Sequence, residues 1–207
     1  LDRLGDADPK AAEDLDAAGI GPLRHEPLPR EDGGTAEEFP QPILSATTIR
    51  HAGEPLALVA ASSPQALADA LDLADMTLEE VPPPEGRAFL RRFGDVAAAE
   101  AALAGAAHRA RITLSAPRVT AFALEPRGAI ATPDDEGGLT FRVSTQNPFA
   151  LRAGLSDTLG LSPERVRVLA EDVGGSFGLK GFMTREDAAL AFAARLLGCE
   201  LAWLPAR

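Results

Sequence analysis

The sequence predicts a mixed α/β (α+β) fold in two units, with a boundary near residue 84. Three observations predict it. A strand-length apolar run at residues 55–61 is followed at once by a capped helix. Between residues 129 and 144, two alternating segments flank the turn Pro133-Asp134-Asp135-Glu136-Gly137-Gly138, a hairpin pattern with glycine at its tip. Pro82-Pro83-Pro84-Glu85-Gly86 is stiff and extended and makes the best linker in the chain, so residues 1–84 and 85–207 are expected to be separate units.

Taken in order, residues 1–49 show little periodicity, are broken by Pro22, Pro27, Pro29, Pro40 and Pro42, and read as largely irregular. Pro55–Ala61 is apolar throughout. Ser63-Pro64 then supplies an N-cap and a proline at the first helical turn, and Leu67, Ala70, Leu71 and Ala74 fall on one helical face. Met76–Val81 reads as the second strand of a β-α-β unit. Beyond the prolines, an Ala-rich helix is expected at about 96–106 with Asp95 as cap. Strands are expected at 109–114, where Arg109, Arg111 and Thr113 alternate with Ala110, Ile112 and Leu114, and at 118–124.

After the hairpin, Asn147-Pro148 starts a helix that Gly160 ends. Arg165–Glu171 alternates as a strand with Val166, Val168 and Ala170 on one face. A glycine loop, Gly174-Gly175-Ser176-Phe177-Gly178, follows. Thr184 and Asp187 form a capping-box pattern at the start of a helix whose buried stripe is Ala189, Phe192, Ala193, Leu196 and Leu197. Gly198 closes that helix and Cys199–Trp203 reads as a last strand.

Composition narrows the function. The chain has 207 residues, 45% of them apolar and 25% charged, which suits a folded domain with a sizeable core. A net charge of −11 argues against a nucleic-acid partner and against an anionic membrane surface. The apolar stretches are too short to span a bilayer. Cys199 is the single cysteine, which excludes an intrachain disulfide framework, an iron–sulfur cluster and a Cys-rich zinc site. It follows a helix beside apolar residues and is expected to be a buried, inert thiol. His25, His51 and His108 lie far apart without metal-ligand spacing, so no metal ligands are assigned. The chain opens on Leu1 with no basic segment ahead of an apolar core, so it is not read as an intact secretory precursor, and a cytoplasmic location is expected.

Two features carry candidate chemistry. A strand running into a turn with three glycines exposes backbone N–H groups in a small concavity suited to an oxyanion or a phosphate, and glycine there tolerates positive φ and close approach. The same turn also reads as a tight structural corner. Lys180 is followed by Gly181 rather than Ser or Thr, so the loop is not a Walker A motif, and Ser176-Phe177 breaks the dinucleotide-binding fingerprint. Gln146 and Asn147 sit at the end of a strand just before a helix, where an amide either donates to a ligand oxygen or caps the helix, the cap being the commoner use. Glu125-Pro126-Arg127-Gly128 reads as a turn with an ion pair.

The order of these motifs carries a resemblance. HAGEPLALVAASSPQALADALDLADMTLEEVP resembles the α/β-hammerhead segment of the xanthine dehydrogenase, aldehyde oxidase and aerobic carbon monoxide dehydrogenase large subunits. ALEPRGAIATPDD, STQNPFALRAGLSDTLGLSPERVRVLAEDVGGSFGLKG and EDAALAFAARLLGCELAW are similar to the start of that family's molybdenum-cofactor-binding domain. Four motifs in the family's order, over about residues 41–205, make the resemblance specific.

The resemblance implies a partial hammerhead over residues 1–84 and the N-terminal part of the cofactor domain over 85–207. It also implies a molybdenum-bearing molybdopterin, in the mononucleotide or the cytosine dinucleotide form. It matches Gln146 to the family glutamine that hydrogen-bonds near a molybdenum oxo ligand, and Gly175, Ser176, Phe177 and Gly178 to the loop lying against the pterin. Ser176 stands where the commonest form has glycine. Gly181 and Phe182 stand where xanthine-type members carry a substrate-contacting glutamate, which speaks against a purine.

By the same resemblance the catalytic glutamate is expected downstream of Arg207, leaving no catalytic residue in this chain and no turnover by it alone. The implied reaction is water-derived hydroxylation of an aldehyde or heterocycle, or carbon monoxide oxidation. Electrons would leave through a separate two-cluster iron–sulfur subunit and an FAD subunit in a hetero-oligomer, since this chain is expected to hold neither Fe–S nor FAD. The rival readings are a non-catalytic truncated paralogue serving assembly, and a small nucleotide-binding domain built on the glycine loop.

Overall fold

The computed structural model describes residues 8–23, 34, 41–82, 94–117 and 119–205. Strand β1 (Asp8–Ala11) runs into helix α1 (Ala12–Ala17), followed by β2 (Ala57–Ala60), α2 (Pro64–Asp72), α3 (Val96–Gly105), β3 (Ala129–Pro133), β4 (Leu139–Val143), α4 (Pro148–Leu159), β5 (Val166–Leu169), α5 (Arg185–Leu197) and β6 (Leu201–Trp203). The fold is mixed α/β, as the sequence predicts. Two compact units each draw on several segments: one on parts of Leu1–Arg24, Pro40–Thr77 and Ala121–Arg207, the other on parts of His25–Phe39 and Leu78–Thr120. The expected linker, apart from Pro82, and the boundary at residue 84 lie outside the described residues.

In the first unit β1 pairs antiparallel with β2, with Asp8 opposite Ala60. Residues 8–17 thus form a strand and a helix within the stretch 1–49 expected to be largely irregular; the short strand takes its ladder from residues almost fifty positions away, which local patterning does not record. A four-stranded sheet of order β5-β4-β3-β6 forms the rest of the frame. The β3–β4 hairpin is antiparallel, and its turn is held by Asp134, whose carboxylate accepts from the backbone N–H of Glu136 (3.0 Å) and Gly138 (2.6 Å). β4 and β5 are parallel and are joined through α4, while β6 returns antiparallel against β3.

One face of the sheet buries Ala131, Leu139, Phe141 and Val166 against α4 and α5. Helix α5 is buried all round from Ala188 to Ala194, and its alanines let the sheet and α4 approach closely. Leu196 is exposed and Leu197 only half-buried, so both leave the expected stripe, because burial fades over the last turn of α5. Caps stand where the sequence placed them. Ser63, Asp95, Asn147 and Thr184 each accept a first-turn N–H, and Gly160 and Gly198 end their helices at φ 63° and 64°.

Three expected strands do not form. Residues 76–81, 109–114 and the described part of 118–124 have no ladder partner among the described residues. Leu78, Ile112, Leu114 and Val119 are exposed there, so the alternation exists without a sheet to receive it. The β-α-β reading of 55–81 therefore reduces to β2 and α2.

Candidate functional site

The two sequence-predicted segments meet because both leave the carboxyl ends of neighbouring parallel strands. Gln146 follows β4 and the glycine loop follows β5, the location where open α/β sheets present ligand-binding loops. Two consecutive amides divide the roles that the sequence left open. Asn147 caps α4, its Oδ1 accepting from Ala150 N–H at 3.2 Å, which leaves Gln146 free to reach the loop.

Gln146 is fixed at three points. Its backbone N–H donates to the Lys180 carbonyl at 3.1 Å, and its Oε1 accepts from the Gly178 N–H at 3.2 Å and from the Ser176 hydroxyl. Two donors on one atom define that atom as the amide oxygen. The Nε2 group is then the outward donor, and it has no partner among the described residues. Gly181 is buried beneath it, where a Cβ would come within 3.2 Å of the Gly178 carbonyl and 3.4 Å of Gln146 Nε2.

The loop spends some of its N–H groups internally and leaves others open. Gly174 N–H donates to Glu125, Gly178 N–H to Gln146, Leu179 N–H to the Ser176 carbonyl and Lys180 N–H to Ser176 Oγ. The N–H groups of Gly175, Ser176 and Phe177 have no acceptor among the described residues. Gly175 and Gly178 stand at φ 96° and 93°, and Phe177 at φ 52° is the one described non-glycine residue with positive φ. Phe177 is also 80% exposed, so a large apolar ring in a costly conformation faces outward. A Cβ on Gly178 would meet nothing within 4 Å. The lip is thus open, apolar on its flank, and lined by donors.

Sequence reasoning missed the group that holds the loop. Lys180 Nζ, on a side chain only 1% exposed, donates to Glu125 Oε2 at 2.7 Å and to Ser144 Oγ at 2.8 Å. Ser144 in turn donates to the same Oε2 at 2.6 Å. The Lys180 ammonium, the Ser144 hydroxyl and the Gly174 N–H hold the Glu125 carboxyl down at a pKa of about 2. A signal was present: in a chain where all but two of 20 basic residues are arginine, a lone loop lysine outside any phosphate motif asks for a specific partner. Because its ammonium is buried and paired with Glu125, Lys180 is not placed to grip a phosphate, in keeping with the loop's departure from the phosphate-loop pattern.

The remaining candidates lie elsewhere. Arg127 pairs with Glu186 at 3.0 Å and stacks over Trp203 at 5.2 Å, beside an open groove of about 480 Å³ that Glu125, Val143 and Ser144 also border. His25 is outside the described residues, and among the described residues no cluster of His, Cys, Asp and Glu has a metal-holding arrangement. Cys199 is exposed, correcting the expected buried thiol: it follows Gly198, where α5 has ended and the chain turns outward. No helix of the described residues is long and apolar enough to cross a membrane.

The chain's likenesses follow this geometry. Residues 81–207 match the molybdopterin cofactor-binding domain family. The large subunit of nicotine 6-hydroxylase from Paenarthrobacter nicotinovorans is 31% identical over 192 residues, covering 83% of this chain and 23% of that protein. The carbon monoxide dehydrogenase large chain of Hydrogenophaga pseudoflava is 31% identical over 115 residues, covering 55% of this chain and 14% of that one. Among solved structures, quinoline 2-oxidoreductase from Pseudomonas putida 86 superposes with a TM-score of 0.78 at 26% identity, over 96% of this chain and 27% of that one. A Cu,Mo carbon monoxide dehydrogenase, at 22% identity and a TM-score of 0.80 over 97% of this chain and 28% of that one, shares the fold. The chain thus spans about a quarter of the length of the nicotine 6-hydroxylase large subunit and of quinoline 2-oxidoreductase. It belongs to the molybdopterin cofactor-binding domain family of the molybdenum hydroxylase large subunits, whose members are molybdenum-dependent oxidoreductases.

Proposed function

We propose that this chain supplies one wall of a molybdopterin site in the large subunit of a molybdenum hydroxylase-type oxidoreductase. The reaction is hydroxylation of an aldehyde or heterocycle with oxygen from water, or oxidation of carbon monoxide. The observation that carries this reading is the outward Nε2 of Gln146, oriented by Ser176 and Gly178, beside the open N–H groups of Gly175, Ser176 and Phe177.

These residues fit the cofactor. Oxo and thiolate ligands and the pterin carbonyl accept hydrogen bonds, and the lip offers donors that have no acceptor among the described residues. The cofactor, when bound, supplies the two-electron chemistry, while the protein binds, orients and excludes water. Gln146 presents an amide donor that cannot rotate without giving up both bonds to Oε1. Gly178 keeps the wall thin, and the exposed Phe177 ring gives it an apolar flank. Catalytic groups, and the choice between mononucleotide and cytosine dinucleotide pterin, belong to residues beyond this chain. An iron–sulfur subunit and an FAD subunit complete the hetero-oligomer in a cytoplasmic enzyme. The nicotine 6-hydroxylase relative, named as a large subunit, supports an assembly of several subunits in general.

The test is a contrast of two variants in the full-length protein that carries this chain. Gln146→Ala removes a donor without touching the core; it should leave the protein folded and molybdenum-loaded and lose turnover. Gly178→Val puts a branched side chain where this chain itself has nothing within 4 Å, so any loss beyond backbone strain reports a group lying over the loop. It should lower the molybdenum content. Full molybdenum and full turnover in both variants would reduce the loop to a structural corner.

A further inference from the structure

We infer that Glu125 is a positioning residue, which clasps both ends of the glycine loop through one carboxylate oxygen and thereby sets where Gly175–Gly178 stand. The inference rests on the loop being the cofactor wall. Glu125 itself touches no part of the lip.

At the first end of the loop, the Glu125 backbone N–H donates to the Gly174 carbonyl at 3.2 Å and the Gly174 N–H returns to Glu125 Oε2 at 2.7 Å. At the other end, Lys180 Nζ reaches the same Oε2 at 2.7 Å. Ser144 Oγ sits between, donating to Oε2 and accepting from Lys180. Lys180 is tied down further through its carbonyl, which accepts from Gln146 N–H at 3.1 Å and from the buried Thr145 Oγ1 at 2.9 Å. One carboxylate oxygen therefore fixes the separation of residues 174 and 180.

Three observations mark this clasp as more than a rim ion pair. The lysine side chain is almost wholly buried, so its charge has no water to fall back on. Gly174 is glycine because Glu125 leans on it: a Cβ at 174 would lie 2.5 Å from the Glu125 Cβ, a separation no packed pair adopts. Between the clasped ends, the loop's side-chain ties to the rest of the unit are the bonds of Ser176 and Gly178 to Gln146. A three-glycine loop left loose would have to be ordered when a ligand binds, at a cost in affinity; clasping its ends orders it beforehand. Fixing the two ends also fixes the Ser176–Gln146 contact, and with it the direction of the Gln146 amide.

The test uses Glu125→Gln and the double variant Glu125→Gln/Lys180→Met in the full-length protein. Glu125→Gln leaves a buried ammonium without its counter-charge and is at risk of unfolding; the double variant removes both charges and keeps the volume. Gly174→Ala pushes Glu125 aside without changing any charge and serves as an independent third. The readouts are backbone hydrogen exchange over residues 172–182, molybdenum per large subunit, and the Mo(V) electron paramagnetic resonance spectrum. Loss of the clasp should speed exchange across the loop by about 10-fold with global exchange unchanged. It should lower molybdenum occupancy, or shift the spectrum with turnover down by about 10-fold, the usual scale for outer-shell partners of a metal site. Parental exchange over 172–182 in the double variant and in Gly174→Ala would overturn the clasp and leave the cofactor reading intact. A loosened loop with full molybdenum and an unchanged spectrum would overturn both, because the loop would then not face the cofactor.

Discussion

Glu54 joins the segment before β2 to the first turn of α5, and replacing it by glutamine should cost the protein much of its stability. Its side chain is fully buried, with Oε2 accepting from Arg50 N–H at 2.5 Å and Oε1 taking the Arg50 guanidinium at 3.0 Å and the Arg185 guanidinium at 2.8 Å. Breaking a buried pair by removing one partner costs about 3–5 kcal/mol. The Arg185 and Arg50 side chains are 14% and 41% exposed, so water recovers part of the loss and the lower end, about 3 kcal/mol, is expected. For a chain of this length that corresponds to a fall in Tm of about 6–12 °C. Burial alone would raise the Glu54 pKa, yet the Arg50 N–H and the Arg185 guanidinium outweigh it and bring it to about 2. A lowered folded-state pKa means a stabilisation present above the unfolded value of 4.5 and lost as pH falls towards 2. The Glu54→Gln deficit should therefore be full at pH 7 and shrink below pH 4.5, as read by urea unfolding across that range. A deficit under about 1 kcal/mol at pH 7, or one that does not change with acid, would refute this account of the pair.

Thr184→Ala removes the cap of α5 and a hydroxyl partner of the buried Asp187 carboxylate, at 2.9 Å, and should cost about 1–2 kcal/mol by chemical denaturation. Cys199, exposed beyond Gly198, should react with a thiol reagent under native conditions at the rate of an accessible thiol; protection until unfolding would contradict its placement.

Four of the helices were legible in the sequence because their ends carry local chemistry, whereas α1 was not. Ser63-Pro64, Asp95, Asn147-Pro148 with Gly160, and Thr184–Asp187 with Gly198 each announce a cap within a few residues, and each helix formed between its signals. Strands were legible where the partner was close. The β3–β4 hairpin carries its own turn, and β5 alternates beside β4. Where pairing is remote, pattern was an uneven guide: β2 and β6 formed where the sequence placed them, Asp8–Ala11 became a strand without looking like one, and 109–114 looked like one and has no ladder partner among the described residues.

The same division runs through the site. Gln146 and the glycine loop could be found from sequence because each ends a recognisable strand. Their contact depends on β4 and β5 being parallel neighbours, which only the assembled sheet establishes. Glu125 and Lys180 stand 55 positions apart, and neither sits in a periodic segment that would predict their meeting. Glu125 therefore read as part of a turn, and Lys180 only as a failed phosphate-loop lysine.

The most direct measurement is an experimental structure of the full-length subunit with its cofactor bound. The Gln146 Nε2 group and at least one of the Gly175, Ser176 and Phe177 N–H groups are expected at hydrogen-bond distance from the cofactor, with Gln146 Oε1 still turned to Gly178 N–H. A cofactor bound away from this lip, with the Gln146 amide facing only water or protein, would contradict the proposed cofactor wall.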